Sequence, residues 1–231
     1  MKCIGLLGGM SWESTVLYYE IINRAIHKQL GGLHSARCVL YSVDFQPIEE
    51  MQQRNDWHGA LVVLKEAAAV LEKAGAEILV ICTNTMHLLA SEIEQDLKIP
   101  LLHIADATAE VIICHNLKTV GLLGTRFTME KDFYRGRLEK KYGLSVIVPP
   151  EKNRAFIHRV IYEELCKGIR KDHSRKDFNT IMADLVQKGA EGIILGCTEI
   201  GMLVKPEDSE VPLLDTTRIH AEAAVKMALM V

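Results

Sequence analysis

The strongest constraint on this chain is that it repeats itself. "KCIGLLGGMS" at residues 2–11 matches "KTVGLLGTRF" at 118–127, an offset of 116. "GAEILVICTNT" at 75–85 matches "GAEGIILGCTE" at 189–199, an offset of 114. "IPLLHI" at 99–104 matches "VPLLDT" at 211–216, an offset of 112. Three matches in one order at nearly constant offset predict two similar units of about 110 residues, within the usual size range of a small domain.

Each unit alternates short apolar runs with longer amphipathic stretches. The runs at 2–7, 37–43, 77–82, 100–103, 118–123, 144–148, 191–196 and 211–214 read as strands. Stretches such as 14–29, 58–74, 154–167 and 176–188 read as helices, with Ser14 a candidate cap of the first. Strict alternation predicts α/β units, each a four-stranded parallel sheet flanked by helices.

Composition narrows the function. Apolar residues are 48% of the chain, charged residues 25%, and the net charge is −3. No run of five basic residues occurs, and "KGIRKDHSRK" at 167–176 is broken by Asp172. A solvated helix end explains it better than a nucleic-acid surface. The longest uncharged run, Ile78 to Ser91, has 14 residues, below the roughly 18 that suggest a membrane span. "MKCIGLLGGM" is short and is followed by Trp12-Glu13, unlike a signal peptide. A cytoplasmic location is the expectation. The six cysteines, at 3, 38, 82, 114, 166 and 197, form no C-x-x-C pair and suggest no metal site. Most are expected to be small core residues.

In α/β sheets the functional loops follow the carboxyl ends of the strands. That rule singles out Gly8-Gly9-Met10, Thr83-Asn84-Thr85, Gly124-Thr125 and Cys197-Thr198-Glu199. If the two halves face each other, these loops line one cleft, a common place for a small ligand. The glycines fit neither a dinucleotide nor a phosphate loop; tight turns account for them.

The offset pairs Thr83, not Cys82, with Cys197. It also pairs Asn84 with Thr198 and Thr85 with Glu199. Alternation along the strand sends Cys82 to the face opposite residue 83, against a helix. Two such loops acting on one carbon suit racemisation, in which a proton leaves one face and another arrives on the other. A thiol serves this chemistry; if Thr198–Leu203 is helical its start would lower the thiol pKa, while Glu199 pushes the other way unless it is directed elsewhere. The hydroxyls and amide of Thr85, Asn84 and Thr198 suit a carboxylate, with backbone N–H groups beside them. Arg54, after the second strand, and Lys167, in "YEELCKG", lie at corresponding places in the two units. Taken singly, each is ordinarily a surface charge; as a pair they suit a second acidic group.

With "GLLGGMSWEST", "TNTMH", "IYEELCKG" and "GCTEI", the sequence resembles the aspartate/glutamate racemases, the cofactor-independent amino-acid racemases, over nearly its whole length. The resemblance implies two pseudo-twofold-related α/β domains with the active site in the cleft between them. It implies no pyridoxal phosphate, no metal and a homodimer. The last helix, about 216–230, would return to the first domain, giving 1–106 with 215–231 and 107–214. By the same resemblance Cys197 matches the second catalytic cysteine. Asn84, Thr85 and Thr198 match binders of the substrate α-carboxylate and neighbouring groups, and Met10 and Gln52 match positions near the substrate. Thr125 and Glu199 stand in the same loop set. Arg54 and Lys167 match the basic pair that holds a side-chain carboxylate.

The departure is Thr83, which stands where the family usually has its first cysteine. A hydroxyl is a much weaker acid than a thiol and a poor base without activation. The expectation is therefore an aspartate or glutamate racemase that prefers the L-enantiomer. A one-cysteine decarboxylase or isomerase on the same scaffold, and a non-catalytic binder of acidic amino acids, also fit part of this residue set.

Overall fold

The structure is a computed structural model that describes residues 1–230. The chain forms two compact units, residues 1–103 with those from 220 onward, and residues 104–219.

The first unit is built on β1 (Ile4–Gly8), β2 (Cys38–Ser42) and β3 (Ile78–Ile81), paired in parallel in the order β2-β1-β3. Its helices are α1 (Trp12–Leu30), α2 (Phe45–Gln53), α3 (Trp57–Lys73) and α4 (Ala90–Glu94), with a 3-10 turn at Thr85–Leu89 before α4. The period of two along the strands sorts the core into two faces. Ile4, Leu6, Ile78, Val80 and Cys82 pack with Tyr18 and Ile22 of α1. Leu7, Leu79 and Ile81 pack with Leu64, Ala67 and Leu71 of α3. Each such leucine or isoleucine contributes about 1.5–3 kcal/mol on burial. Cys82 is therefore a core residue on the α1 face, as its alternation with Thr83 predicts.

The second unit contains α5 (Ile104–Cys114), β4 (Thr119–Gly124), α6 (Arg126–Glu130), α7 (Arg135–Tyr142), β5 (Ser145–Ile147), α8 (Glu151–Glu163) and α9 (Asp172–Gln187). It continues with β6 (Ile193–Gly196), α10 (Ile200–Leu203), β7 (Leu213–Asp215) and α11 (Thr216–Leu229). Its strands are parallel in the order β5-β4-β6-β7. From His220 onward α11 belongs to the first unit, where Ala221, Ala224 and Val225 join the α1 face.

The repeat is a repeat of register. Gly5 pairs with Leu79, and Gly121 pairs with Ile193, which are the positions shifted by 116 and 114. The GAE triplets show why these letters recur. Gly75 and Gly189 have φ of 93° and 96°, a conformation that side chains with a Cβ resist. Two residues on, Glu77 accepts from the Cys3 N–H at 2.7 Å, and Glu191 accepts from the Thr119 N–H at 2.9 Å. Each glutamate thus ties its own strand to the start of the central one.

The fourth strand expected at 100–103 is reduced to a single parallel bridge, Leu79 to Leu101. Pro100 has no N–H to extend the ladder, and α5 begins at Ile104. The bridge is the equivalent of Ile193–Leu213 in the other sheet, 114 and 112 residues on. The segment therefore lies where the repeat predicts, with less pairing. Two helix ends also differ from expectation. Ser11, not Ser14, caps α1 and accepts from the Ser14 N–H. The helix expected over 154–167 stops at Glu163 and continues as a 3-10 turn, Leu165–Lys167, closed by Gly168 at φ 70°. Among the described residues no helix is long and apolar enough to cross a membrane.

Candidate active site

In each sheet the chain winds outward in opposite directions from the central strand and its neighbour. The crevice at that switch point, at the carboxyl ends, is where such folds hold ligands. In the first unit the loops there follow β1 and β3; in the second they follow β4 and β6.

The loop after β1 is Gly9-Met10-Ser11. Gly9 has φ 94°, and a Cβ on it would lie 2.2 Å from the Val43 carbonyl oxygen. Only glycine fits this turn. The Gly9 N–H donates to Thr15 Oγ1 at 2.9 Å, so α1 holds the loop. Met10 is buried behind it. Gln52, on α2, is buried too, and its Nε2 meets Met86 Sδ at 3.0 Å.

The loop after β3 carries Thr83, Asn84 and Thr85. Asn84 and Thr85 are buried, and Thr83 is half-buried. The Thr83 carbonyl accepts from His87 Nδ1 at 2.8 Å, and the Asn84 carbonyl accepts from the His87 N–H at 3.1 Å. Arg54 follows two residues after Gln52. It caps the end of α2, is exposed, and has no ion-pair partner among the described residues.

In the second unit the β4 loop carries Thr125, which is buried and caps α6 by accepting from the Thr128 N–H at 3.3 Å. The β6 loop carries Cys197, Thr198 and Glu199, all buried. Glu199 Oε2 accepts from Cys197 Sγ at 2.9 Å and from Thr198 Oγ1 at 2.6 Å. Lys167 sits on the 3-10 turn, exposed, while its neighbours Leu165 and Cys166 pack into the core that holds Cys197 and Ile200.

The electrostatics of Cys197 correct one expectation. The helix after it is a single turn that starts only at Ile200, with Glu199 at its cap. Burial raises the thiol pKa well above the ordinary range, and the Glu199 carboxylate beside the sulfur raises it further. The cap residue lowers it only slightly, through the Glu199 backbone N–H. The resting group is a thiol that donates to a carboxylate. Cys82 is also pushed up by burial, and its Sγ lies 3.8 Å from the Val80 carbonyl within the sheet. The other cysteines vary: Cys3 is buried, Cys38 and Cys166 are half-buried, and Cys114 is exposed.

The expected residues thus form two clusters. Met10, Gln52, Asn84 and Thr85 gather with Thr83 in one unit, and Cys197, Thr198 and Glu199 gather in the other. Arg54 and Lys167 stay at the surface. Sequence reasoning passed over the histidines beneath Thr83. His87, His103 and His220 are all buried. The sequence spreads them over 133 positions (220 − 87), so no spacing motif could have signalled them.

Comparison with known proteins gives the family of the chain. The profile of the Asp/Glu/hydantoin racemase family matches residues 7–224. The broad-specificity amino-acid racemase RacX of Bacillus subtilis is 25% identical over 238 residues, covering 98% of both chains. A crystal structure from Yersinia pestis, described as that of an Asp/Glu racemase, is 53% identical with a TM-score of 0.93 and covers 100% of both chains. An aspartate racemase homologue from Pyrococcus horikoshii is 36% identical with a TM-score of 0.82, covering 99% of both. A family match over nearly the whole chain, and near-identity of fold with a relative at more than half sequence identity, make this protein an isomerase of the Asp/Glu/hydantoin racemase family.

Proposed function

We propose that the protein racemises aspartate, glutamate or both, and that it does so with protein side chains alone. The observation that carries this reading is the buried Cys197–Glu199 contact, 2.9 Å long, at the loop that the repeat pairs with Thr83. A carboxylate beside a thiol gives the thiol proton somewhere to go. Shifting that proton to Glu199 makes Cys197 a thiolate base.

In the proposed reaction the Cys197 thiolate takes the α-proton of the L-enantiomer. The substrate α-carboxylate is held by Asn84, Thr85 and Thr198 with nearby backbone N–H groups, which stabilises the developing carbanion. The Thr83 hydroxyl returns a proton to the opposite face, and the product is the D-enantiomer. The thiol then loses its proton, and the Thr83 oxygen regains one through solvent. Thr83 is the weaker partner, so α-proton exchange is faster from the L-enantiomer than from the D-enantiomer. Met10 and Gln52 border the substrate, and Thr125 shapes the loop beside it. Arg54 and Lys167 take the side-chain carboxylate, one by a planar fork and one by a point charge. The reading includes no pyridoxal phosphate and no metal, and takes the protein as a cytoplasmic homodimer.

The test is a chiral assay in D2O with each enantiomer of aspartate and glutamate and no added cofactor. α-Deuterium in L-aspartate or L-glutamate, together with the D-product, is expected. Exchange of D-substrates as fast as their L-forms would overturn the one-sided assignment. Binding without exchange for either enantiomer would overturn the racemase reading.

A further inference from the structure

The catalytic loop after β3 rests on a layer of buried aromatic nitrogen groups that the reaction does not consume. His87 Nδ1 donates to the Thr83 carbonyl at 2.8 Å. The His87 ring lies 4.8 Å from the His103 ring and 5.5 Å from the His220 ring, centroid to centroid. His220 Nε2 donates to the Leu102 carbonyl at 2.8 Å. Its Nδ1 accepts from the Tyr18 hydroxyl, also at 2.8 Å.

The two carbonyl contacts at Thr83 and Leu102 each need a ring N–H. A carbonyl can only accept, so His87 carries its proton on Nδ1 and His220 on Nε2. The neutral His220 ring then has only a lone pair to offer Tyr18. Burial holds both His87 and His220 neutral. The result is a rigid stack that links β3, the Leu102 segment, α1 and α11. Thr83 is the residue at its top.

We infer that His87 is a positioning residue for Thr83: by holding the Thr83 carbonyl, it sets the orientation of the hydroxyl that returns the proton. The inference rests on the racemase reading above. Cys197 lies on a loop of the other unit, so His87 bears on one proton transfer only. Misplacement of a reacting group by about 1 Å costs on the order of 10²-fold in rate. Loss of the His87 bond therefore lowers inversion without lowering the first abstraction.

The experiment compares wild type with His87→Leu and His87→Gln, starting from the L-substrate in D2O. Two rates are followed: α-deuterium in recovered L-substrate, and appearance of the D-enantiomer. His87→Leu removes the donor while keeping apolar bulk. It is expected to lower the ratio of inversion to exchange by roughly tenfold or more. His87→Gln keeps an amide donor and is expected to recover part of that ratio. If His87→Leu does not fold, His87→Gln is read against wild type alone, and a ratio lowered by less than tenfold is the expected result. A merely structural role would lower both rates together, and that result, or an unchanged ratio in His87→Leu, overturns the inference. Failure of wild type itself to exchange either enantiomer sinks the racemase reading and the inference with it, a result the variants cannot mimic.

Discussion

Cys197 and Glu199 face each other across a single hydrogen bond of 2.9 Å, with both residues buried. Burial raises the thiol pKa and the carboxylate raises it further. A thiolate cannot persist there unless the departing proton is taken up nearby, and Glu199 is the group in contact. Thr198 donates to the same oxygen at 2.6 Å, which orients the carboxylate toward the sulfur.

Glu199→Gln removes the acceptor and keeps the shape. L-side exchange should fall by about 10²-fold near pH 7, the usual scale of one acid–base group. The pH dependence should change as well. In the variant the thiolate forms only by losing its proton to solvent. With the thiol pKa raised, the thiolate fraction then grows about tenfold per pH unit through pH 7–9. The rate should climb in parallel, more steeply than in wild type. An unchanged rate and pH profile in the variant would remove Glu199 from the chemistry.

The two cysteines at the ends of β3 and β6 should behave oppositely. Cys197→Ala should cost roughly 10³-fold or more in turnover, as loss of an essential group does. Cys82 packs among Tyr18, Ile22 and Val80 on the α1 face. Cys82→Ala should keep turnover within about threefold of wild type and lower stability by about 1 kcal/mol. The checks are the chiral assay and urea unfolding. Loss of turnover in Cys82→Ala with folding intact would mean that the register argument had chosen the wrong residue.

That register argument shows how much of the molecule was legible in the sequence. The offsets of 116, 114 and 112 reappear as strand pairs, because equivalent residues fill equivalent places in two parallel sheets. Alternation alone assigned Cys82 and Thr83 to opposite faces. Other features depend on contacts that no pattern encodes. The helix after Cys197 was expected from Thr198 but starts at Ile200, and the Glu199 carboxylate at its cap accepts from the thiol. The 100–103 segment has the apolar run of a strand, yet Pro100 and the early start of α5 leave it one bridge. The histidine stack joins residues from distant parts of the chain, and lone histidines in a sequence carry no sign of such meetings.

The buried histidines should make the protein acid-labile. His220 is held neutral down to about pH 3 by burial and by the nearby His87. Burial and His103 lower the His87 pKa as well. In the unfolded chain both titrate near 6.5, so that state binds more protons as the pH falls. The folded-state pKa values are depressed; the stabilisation is therefore complete above pH 6.5 and lost as the pH falls from there toward 3. Each histidine should remove about 1.4 kcal/mol per pH unit below 6.5. Urea midpoints measured between pH 7 and 4 should show this, and His220→Gln should flatten the slope. An identical slope in that variant would mean that other groups dominate acid unfolding.

Thr83→Cys tests the asymmetry most directly. The substitution keeps the side chain small and replaces a hydroxyl by a far stronger acid, whose conjugate base is also the better nucleophile and base at neutral pH. Thr83 is half-buried, so the slightly larger sulfur can be accommodated, and the His87 bond to its carbonyl does not depend on the side chain. α-Proton exchange of D-aspartate or D-glutamate should rise by about tenfold or more, within the range of acid–base effects. Exchange of the L-form, which depends on Cys197, should change little. Steady-state chiral assays from both enantiomers give the comparison. If D-side exchange does not rise in a variant that folds normally, the hydroxyl at 83 is not the limiting group, and faster exchange of the L-enantiomer must come from how the substrate is held.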